Sequence, residues 1–175
     1  GDTTLIDLTS AFAQLINGGK KLNTIVVDRV QDRNGKTVYN SYKNVCENCA
    51  NLQWKEDLLP PDIEDNREQL ADPVSVYQIV HILQGVVERG SGWKARIPGK
   101  TIGGKTGTSN DQKDVWFIGG TPDLVAGVFL GYDQPKSLGN YAAGGSLAAP
   151  IFKEFMQVVL KDKKDVAFRV PEGVS

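Results

Sequence analysis

The runs Val115-Trp-Phe-Ile-Gly119 and Leu124 to Gly131, two β-rich stretches joined by Gly120-Thr-Pro-Asp123, constrain the fold of this chain more than any other feature in it. A connection of glycine, threonine, proline and aspartate is turn chemistry for an antiparallel hairpin. Parallel neighbours would need a crossover of about a dozen residues or more. The centre of the molecule is therefore an antiparallel sheet.

A third extended segment, Thr101 to Thr108, precedes the pair across the polar turn Ser109 to Lys113, so three core strands fall within 100–132. Helices bracket them. Leu5, Leu8, Phe12, Leu15 and Ile16 recur at helical spacing, with Thr4 and Asp7 as a capping signal and Gly18-Gly19 as the stop. Asp72-Pro73 opens a second helix, because aspartate caps free amides and proline has no amide proton to lose in the first turn. Val76, Ile79, Val80, Leu83, Val86 and Val87 form its apolar face, and Gly90 ends it. A closing helix over 146–160 is marked by Leu147, Ile151, Phe155 and Val159, with Pro150 in its first turn. Thr24–Val30 and Lys36–Tyr42 around Asn34-Gly35 read as an exposed accessory hairpin within 23–43. Residues 44–71, polar, acidic and interrupted by Pro60-Pro61, read as an irregular loop.

Charge identifies no partner: 20 Lys and Arg stand against 21 Asp and Glu, without the basic excess of a nucleic-acid binder. The longest mainly apolar run, Leu124 to Tyr132, is far below the roughly 20 residues of a membrane helix. Cys46 and Cys49 form a lone C-x-x-C, and with a single histidine in the chain the second ligand pair of a structural zinc site is missing. The pair reads as a local disulfide or two free thiols, and neither metal nor cofactor is expected.

Between the second helix and the hairpin lies GKTIGGKTGTS, Gly99 to Ser109, which fits two incompatible patterns. From Gly99 it satisfies the nucleotide-binding G-x-x-x-x-G-K-[ST]. From Lys105 it satisfies the K-T-G of β-lactamases and penicillin-binding proteins. A phosphate loop needs a buried strand before it and a helix starting at its Lys-Thr, whereas here a Gly/Pro-rich loop precedes and GTSND, a turn signal, follows. The sequence context favours the second pattern.

Beyond that motif, GGKTGTSNDQKDVWFIGGTPDLVAGVFLGYD resembles the core strands of the transpeptidase domain of class A, bifunctional penicillin-binding proteins. LTSAFAQLINGG, DPVSVYQIVHILQGVVERGSGWKA and GGSLAAPIFKEFM extend the resemblance from Leu5 to Met156 in matching order. It implies an α+β fold, part of a penicillin-binding-protein/β-lactamase-like domain with helices on both faces of an antiparallel sheet. The implied activity is D,D-transpeptidation of peptidoglycan stem peptides ending in D-Ala-D-Ala, by a serine enzyme that β-lactam antibiotics also acylate.

On this resemblance Lys105 holds positive charge beside the substrate carboxylate and a serine hydroxyl, and Thr106 and Thr108 offer hydroxyls to that carboxylate. Gly107 allows close approach, and the backbone amide of Thr108 supplies half of an oxyanion hole. The family also uses Ser-x-x-Lys and Ser-x-Asn. No Ser-x-Asn occurs here, and the one Ser-x-x-Lys, Ser91-Gly-Trp-Lys94, sits past a helix end, where i and i+3 do not share a helical face. His81, the sole histidine, lies inside the second helix and reads as structural or partly exposed rather than as a triad base.

Residues 1–175 are accordingly expected to be the carboxy-terminal portion of one transpeptidase domain, inactive alone and partnered by the missing amino-terminal half. The implied parent faces the periplasm or outer surface on an anchor outside this chain, also carries a glycosyltransferase, and sits where a Cys46–Cys49 disulfide would persist. The competing expectations are a non-catalytic binding or scaffold module of the same fold, and the nucleotide binder.

Overall fold

The computed structural model describes residues 3–41 and 65–174. Cys46, Cys49 and the expected loop up to Glu64 lie outside the described residues. The chain divides into two compact units, one of residues 23–67 and one of residues 1–22 with 68–175.

The smaller unit holds the hairpin β1 (Arg29–Gln31) and β2 (Thr37–Asn40), which pair antiparallel with a bulge between Val30 and Gln31. Its strands are shorter than the sequence suggested, and the reversal is not a two-residue Asn-Gly turn. Asp32 organises it instead: Oδ1 accepts from the amides of Asn34 (2.8 Å) and Lys36 (3.0 Å), while Gly35 takes φ +81°. A short acidic side chain that bonds its own backbone two residues on fixes such a loop directly.

In the larger unit, α1 (Leu5–Ile16) starts where Thr4 Oγ1 accepts from the Asp7 amide and ends at Gly18 and Gly19, both at positive φ. The amide of Gly19 returns to the Gln14 carbonyl at 2.9 Å, the bond that closes a glycine-terminated helix. Helix α2 (Pro73–Arg89) is capped by Asp72, whose carboxylate accepts from both the amide and the hydroxyl of Ser75 at 2.8 Å. Val76, Val80, Leu83 and Val87 are its buried stripe, and Ile79, expected on that face, is exposed.

The sheet has strand order β3-β4-β5, all antiparallel: β3 (Gly103–Thr108), β4 (Asp114–Thr121) and β5 (Leu124–Gly131). Pairing of β4 with β5 continues to Thr121–Leu124, so Pro122-Asp123 alone makes the turn, tighter than the four residues read from sequence. One face of the sheet presents Phe117, with Leu124, Ala126, Val128 and Leu130, to the buried cluster of Ala148, Ala149, Phe152, Met156 and Leu160. The last group belongs to α3 (Ala149–Val159) and its flanks. The rings of Phe117 and Phe152, both fully buried, meet at 4.7 Å and a 59° tilt, an edge-favouring geometry worth about 0.5–1.5 kcal/mol beyond burial. On the other face, Gly127 leaves room for Thr9 and Leu5 of α1, beside Ile118.

This is an α+β fold with helices on both faces of an antiparallel sheet, as the sequence implied. Helix α1 covers the face across β4 and β5, and α2 packs chiefly along β3.

The closing helix differs in which side it buries. Leu147, Ile151, Phe155 and Val159, the expected apolar stripe, are exposed, and Ala148, Ala149, Phe152 and Met156 face the sheet. Both stripes have the same spacing of about four, so periodicity cannot choose between them. Small Ala148 and Ala149 permit the close approach that brings Phe152 onto Phe117.

Candidate active-site strand

Lys105, Thr106, Gly107 and Thr108 all lie on β3, an edge strand among the described residues, and alternation fixes what each presents. Thr106 and Thr108 share a face with their cross-strand partners Phe117 and Val115, and Lys105 and Gly107 share the other with Ile118 and Trp116. Just beyond the strand, the amide of Ser109 donates to the Asp114 carbonyl at 2.9 Å. In an antiparallel ladder the hydrogen-bonding direction alternates, so the Thr108 amide points the other way, off the free edge.

Each side chain of the motif is held from a different direction. Lys105 Nζ donates to the Thr106 carbonyl at 2.9 Å and lies 3.4 Å from Thr106 Oγ1. Thr106 Oγ1 is 2.9 Å from Ser91 Oγ. Thr108 Oγ1 accepts from the amide of Gly144 at 3.1 Å. Gly107 has its own constraint, because a Cβ there would run into the indole of Trp116. The sequence explained this glycine by approach of a ligand, and the fold alone already requires it.

Two of these partners were not legible beforehand. Ser91 was expected to be an ordinary loop serine, yet Gly90-Ser91-Gly92 is folded tightly onto the end of α2: the Gly92 amide returns to the Val86 carbonyl at 3.0 Å. A Cβ on Gly92 would come within 3.0 Å of the Phe117 ring. Gly144 opens a π-helical turn, Gly144–Ala148, and its Cα lies so close to the backbone of Gly107 and Trp116 that no side chain fits. The doubled glycine before an apolar run was the only available signal, and it does not name its neighbour.

Other candidates are not gathered here. Lys94 sits 5.9 Å from the centroid of its neighbour Trp93, and the exposed His81 lies beside Tyr77 at 6.4 Å. Nor is there a phosphate loop: Lys105 and Thr106 are mid-strand, where a nucleotide site needs the first turn of a helix. Among the described residues no cluster of His, Cys, Asp and Glu fits a metal ion, and no helix is long and apolar enough to cross a membrane.

At the opposite end of β3 a cavity of 490 Å³ is lined by Arg89, Arg96, Lys100, Thr101 and Asp165 among others. Most of its charges are already engaged. Arg89 meets Glu88, Lys100 Nζ donates to the Lys163 carbonyl, and Asp165 accepts from the amide (2.7 Å) and hydroxyl (2.9 Å) of Thr101. The Thr101 amide, above all, holds the Asp165 carboxyl below the usual carboxylate range, as the Ser75 amide does for Asp72.

Comparison with known proteins bears on what this strand belongs to. The family described as the penicillin binding protein transpeptidase domain matches residues 2–157. The chain belongs to that family. As a transpeptidase-domain chain it is 44% identical over 174 residues to penicillin-binding protein 1A of Rickettsia prowazekii, covering 99% of this chain and 22% of the relative. It is 35% identical over 175 residues to penicillin-binding protein 1A of Neisseria meningitidis, covering 99% and 20%. Among solved structures, penicillin-binding protein 1A of Haemophilus influenzae superposes with a TM-score of 0.78 at 25% identity, over 97% of this chain and 28% of that one. The D,D-transpeptidase domain of a peptidoglycan glycosyltransferase from Eggerthella lenta shares the fold, with a TM-score of 0.63 at 19% identity. The transpeptidase-family chain thus spans about a fifth of the length of the curated relatives it matches.

Proposed function

We propose that this chain supplies the substrate-holding strand of a bacterial serine-type D,D-transpeptidase, which cross-links peptidoglycan stem peptides ending in D-Ala-D-Ala and is acylated by β-lactams. The observation that carries this reading is the Lys105-Thr106-Gly107-Thr108 strand, placed at a free sheet edge with the Thr108 amide directed off it. An extended peptide laid along such an edge gains backbone hydrogen bonds, while the ammonium and two hydroxyls offer charge-assisted bonds to its terminal carboxylate. The Thr108 amide supplies one donor to the oxyanion that forms as a serine Oγ adds to the scissile carbonyl. Collapse of that intermediate breaks the peptide bond, and the departing D-alanine amine takes up the serine's proton. The acyl group then passes to the amine of a neighbouring stem peptide, restoring the serine hydroxyl.

The nucleophile lies outside these residues. Ser91 has its hydroxyl on Thr106, and Lys94 is turned to Trp93, so this Ser-x-x-Lys does not make a nucleophile and base. The outer edge of β5, unpaired among the described residues, and the exposed stripe Leu147, Ile151 and Phe155 offer surfaces for the remainder of a transpeptidase domain to cover. Relatives several times as long leave room for a glycosyltransferase domain and an anchor that would place the parent at the periplasmic face of the membrane. A non-catalytic scaffold of the same fold would have no use for the free Lys-Thr-Gly-Thr edge.

The test is labelling of a protein carrying the complete domain with a fluorescent penicillin. Labelling that falls by about 10²-fold or more in Lys105→Ala supports the reading, in line with the loss of a pre-organised electrostatic group. Equal labelling of the two proteins would reject it.

A further inference from the structure

We infer that Ser91 is a positioning residue for Thr106: its hydroxyl donates a hydrogen bond to Thr106 Oγ1, leaving the Thr106 hydroxyl to donate its own to a carboxylate lying on β3. This deepens the function proposed above and rests on it. Nothing in the motif Lys-Thr-Gly-Thr itself calls for Ser91, which lies fifteen residues upstream and meets Thr106 only through the fold.

A threonine hydroxyl has one proton to give and two lone pairs to receive with. Around Thr106 Oγ1 stand Ser91 Oγ at 2.9 Å and Lys105 Nζ at 3.4 Å. The ammonium can only donate. When an anion occupies the edge, the strongest acceptor in reach is its oxygen, so the Thr106 proton turns to it and the Ser91 hydroxyl rotates to fill the second lone pair. Each donor polarises the next along the chain Ser91, Thr106, anion, which strengthens the last bond.

Placement of Ser91 is itself held on three sides. Gly90 lies against Val86, with a Cβ there meeting the Val86 Cα at 2.9 Å. Gly92 is tucked under Phe117, and the Ser91 carbonyl lies against the Cα of Gly145, too close for a side chain. The serine is therefore presented by a turn whose neighbours are all backbone or core, and its exposed Oγ has one partner, Thr106, among the described residues.

The experiment compares acylation of the complete domain by a penicillin and by the methyl ester of the same penicillin, in the wild type, Ser91→Ala and Ser91→Thr. The inference expects Ser91→Ala to slow acylation by the free acid about five- to tenfold, the scale of one ordinary hydrogen bond between neutral groups. Acylation by the ester should change little, and Ser91→Thr should restore the acid rate. An equal loss on acid and ester would mean that Ser91 only holds the fold, and no loss on either would mean that it does nothing for Thr106; both overturn the inference. A wild type that neither compound acylates would instead refute the transpeptidase reading on which it stands.

Discussion

The indole of Trp116 lies across the Cα of Gly107, its antiparallel partner, and leaves no space for a Cβ on that glycine. Gly107→Ala is therefore an overpacking substitution on β3, expected to cost about 1–3 kcal/mol. Urea unfolding of the chain measures it. Because the clash is pairwise, Gly107→Ala combined with Trp116→Ala should be less unstable than the two single losses added together, whereas additivity would disprove the contact.

Thr108 is predicted to anchor the π-helical turn before α3 as well as to face the proposed ligand. Thr108→Val keeps the shape but leaves the buried Gly144 amide without its acceptor, at a cost of roughly 1–3 kcal/mol. Hydrogen exchange at the Gly144 amide should accelerate in Thr108→Val and stay slow in Thr108→Ser. Unchanged protection in the valine variant would count against the bond.

Acid should loosen two capped segments, at Asp72 and at Asp165, in a definite direction. Asp72 and Asp165 are both held below the ordinary carboxyl value of 3.8, each mainly by a backbone amide, of Ser75 and of Thr101 respectively. A depressed folded value means that the stabilisation is complete above 3.8 and is lost as the pH falls through the depressed values. Unfolding followed against pH should show stability declining below about pH 4, the unfolded carboxylate range, with a shallower acid limb in Asp165→Asn. An identical acid limb in that variant would remove Asp165 from the account.

Sequence and structure part company where two residue patterns are chemically equivalent or where only tertiary contact decides. The sheet was legible because the short turn before Leu124 permits one pairing direction, and α2 because Asp72-Pro73 fixes its start. The stripe of α3 was misread, since Leu147, Ile151 and Phe155 repeat with the same period as Ala148, Phe152 and Met156, and only the fit of Phe152 against Phe117 separates them. In the hairpin, Asn34-Gly35 drew the eye while Asp32 made the turn. At the site, the four motif residues were visible as a contiguous run on one strand. Ser91 and Gly144 were not, because their bonds to Thr106 and Thr108 span 15 and 36 residues.

Where the acyl group lands is read from the intact mass, with mapping of any adduct, after a β-lactam is added to residues 1–175 alone and to a protein with the complete transpeptidase domain. No adduct is expected on the chain alone, and a single adduct on the complete protein, on a serine outside these residues and slowed in Lys105→Ala. An adduct on Ser91, or on any other serine of this chain, would contradict the proposal, because the chain would then carry its own nucleophile.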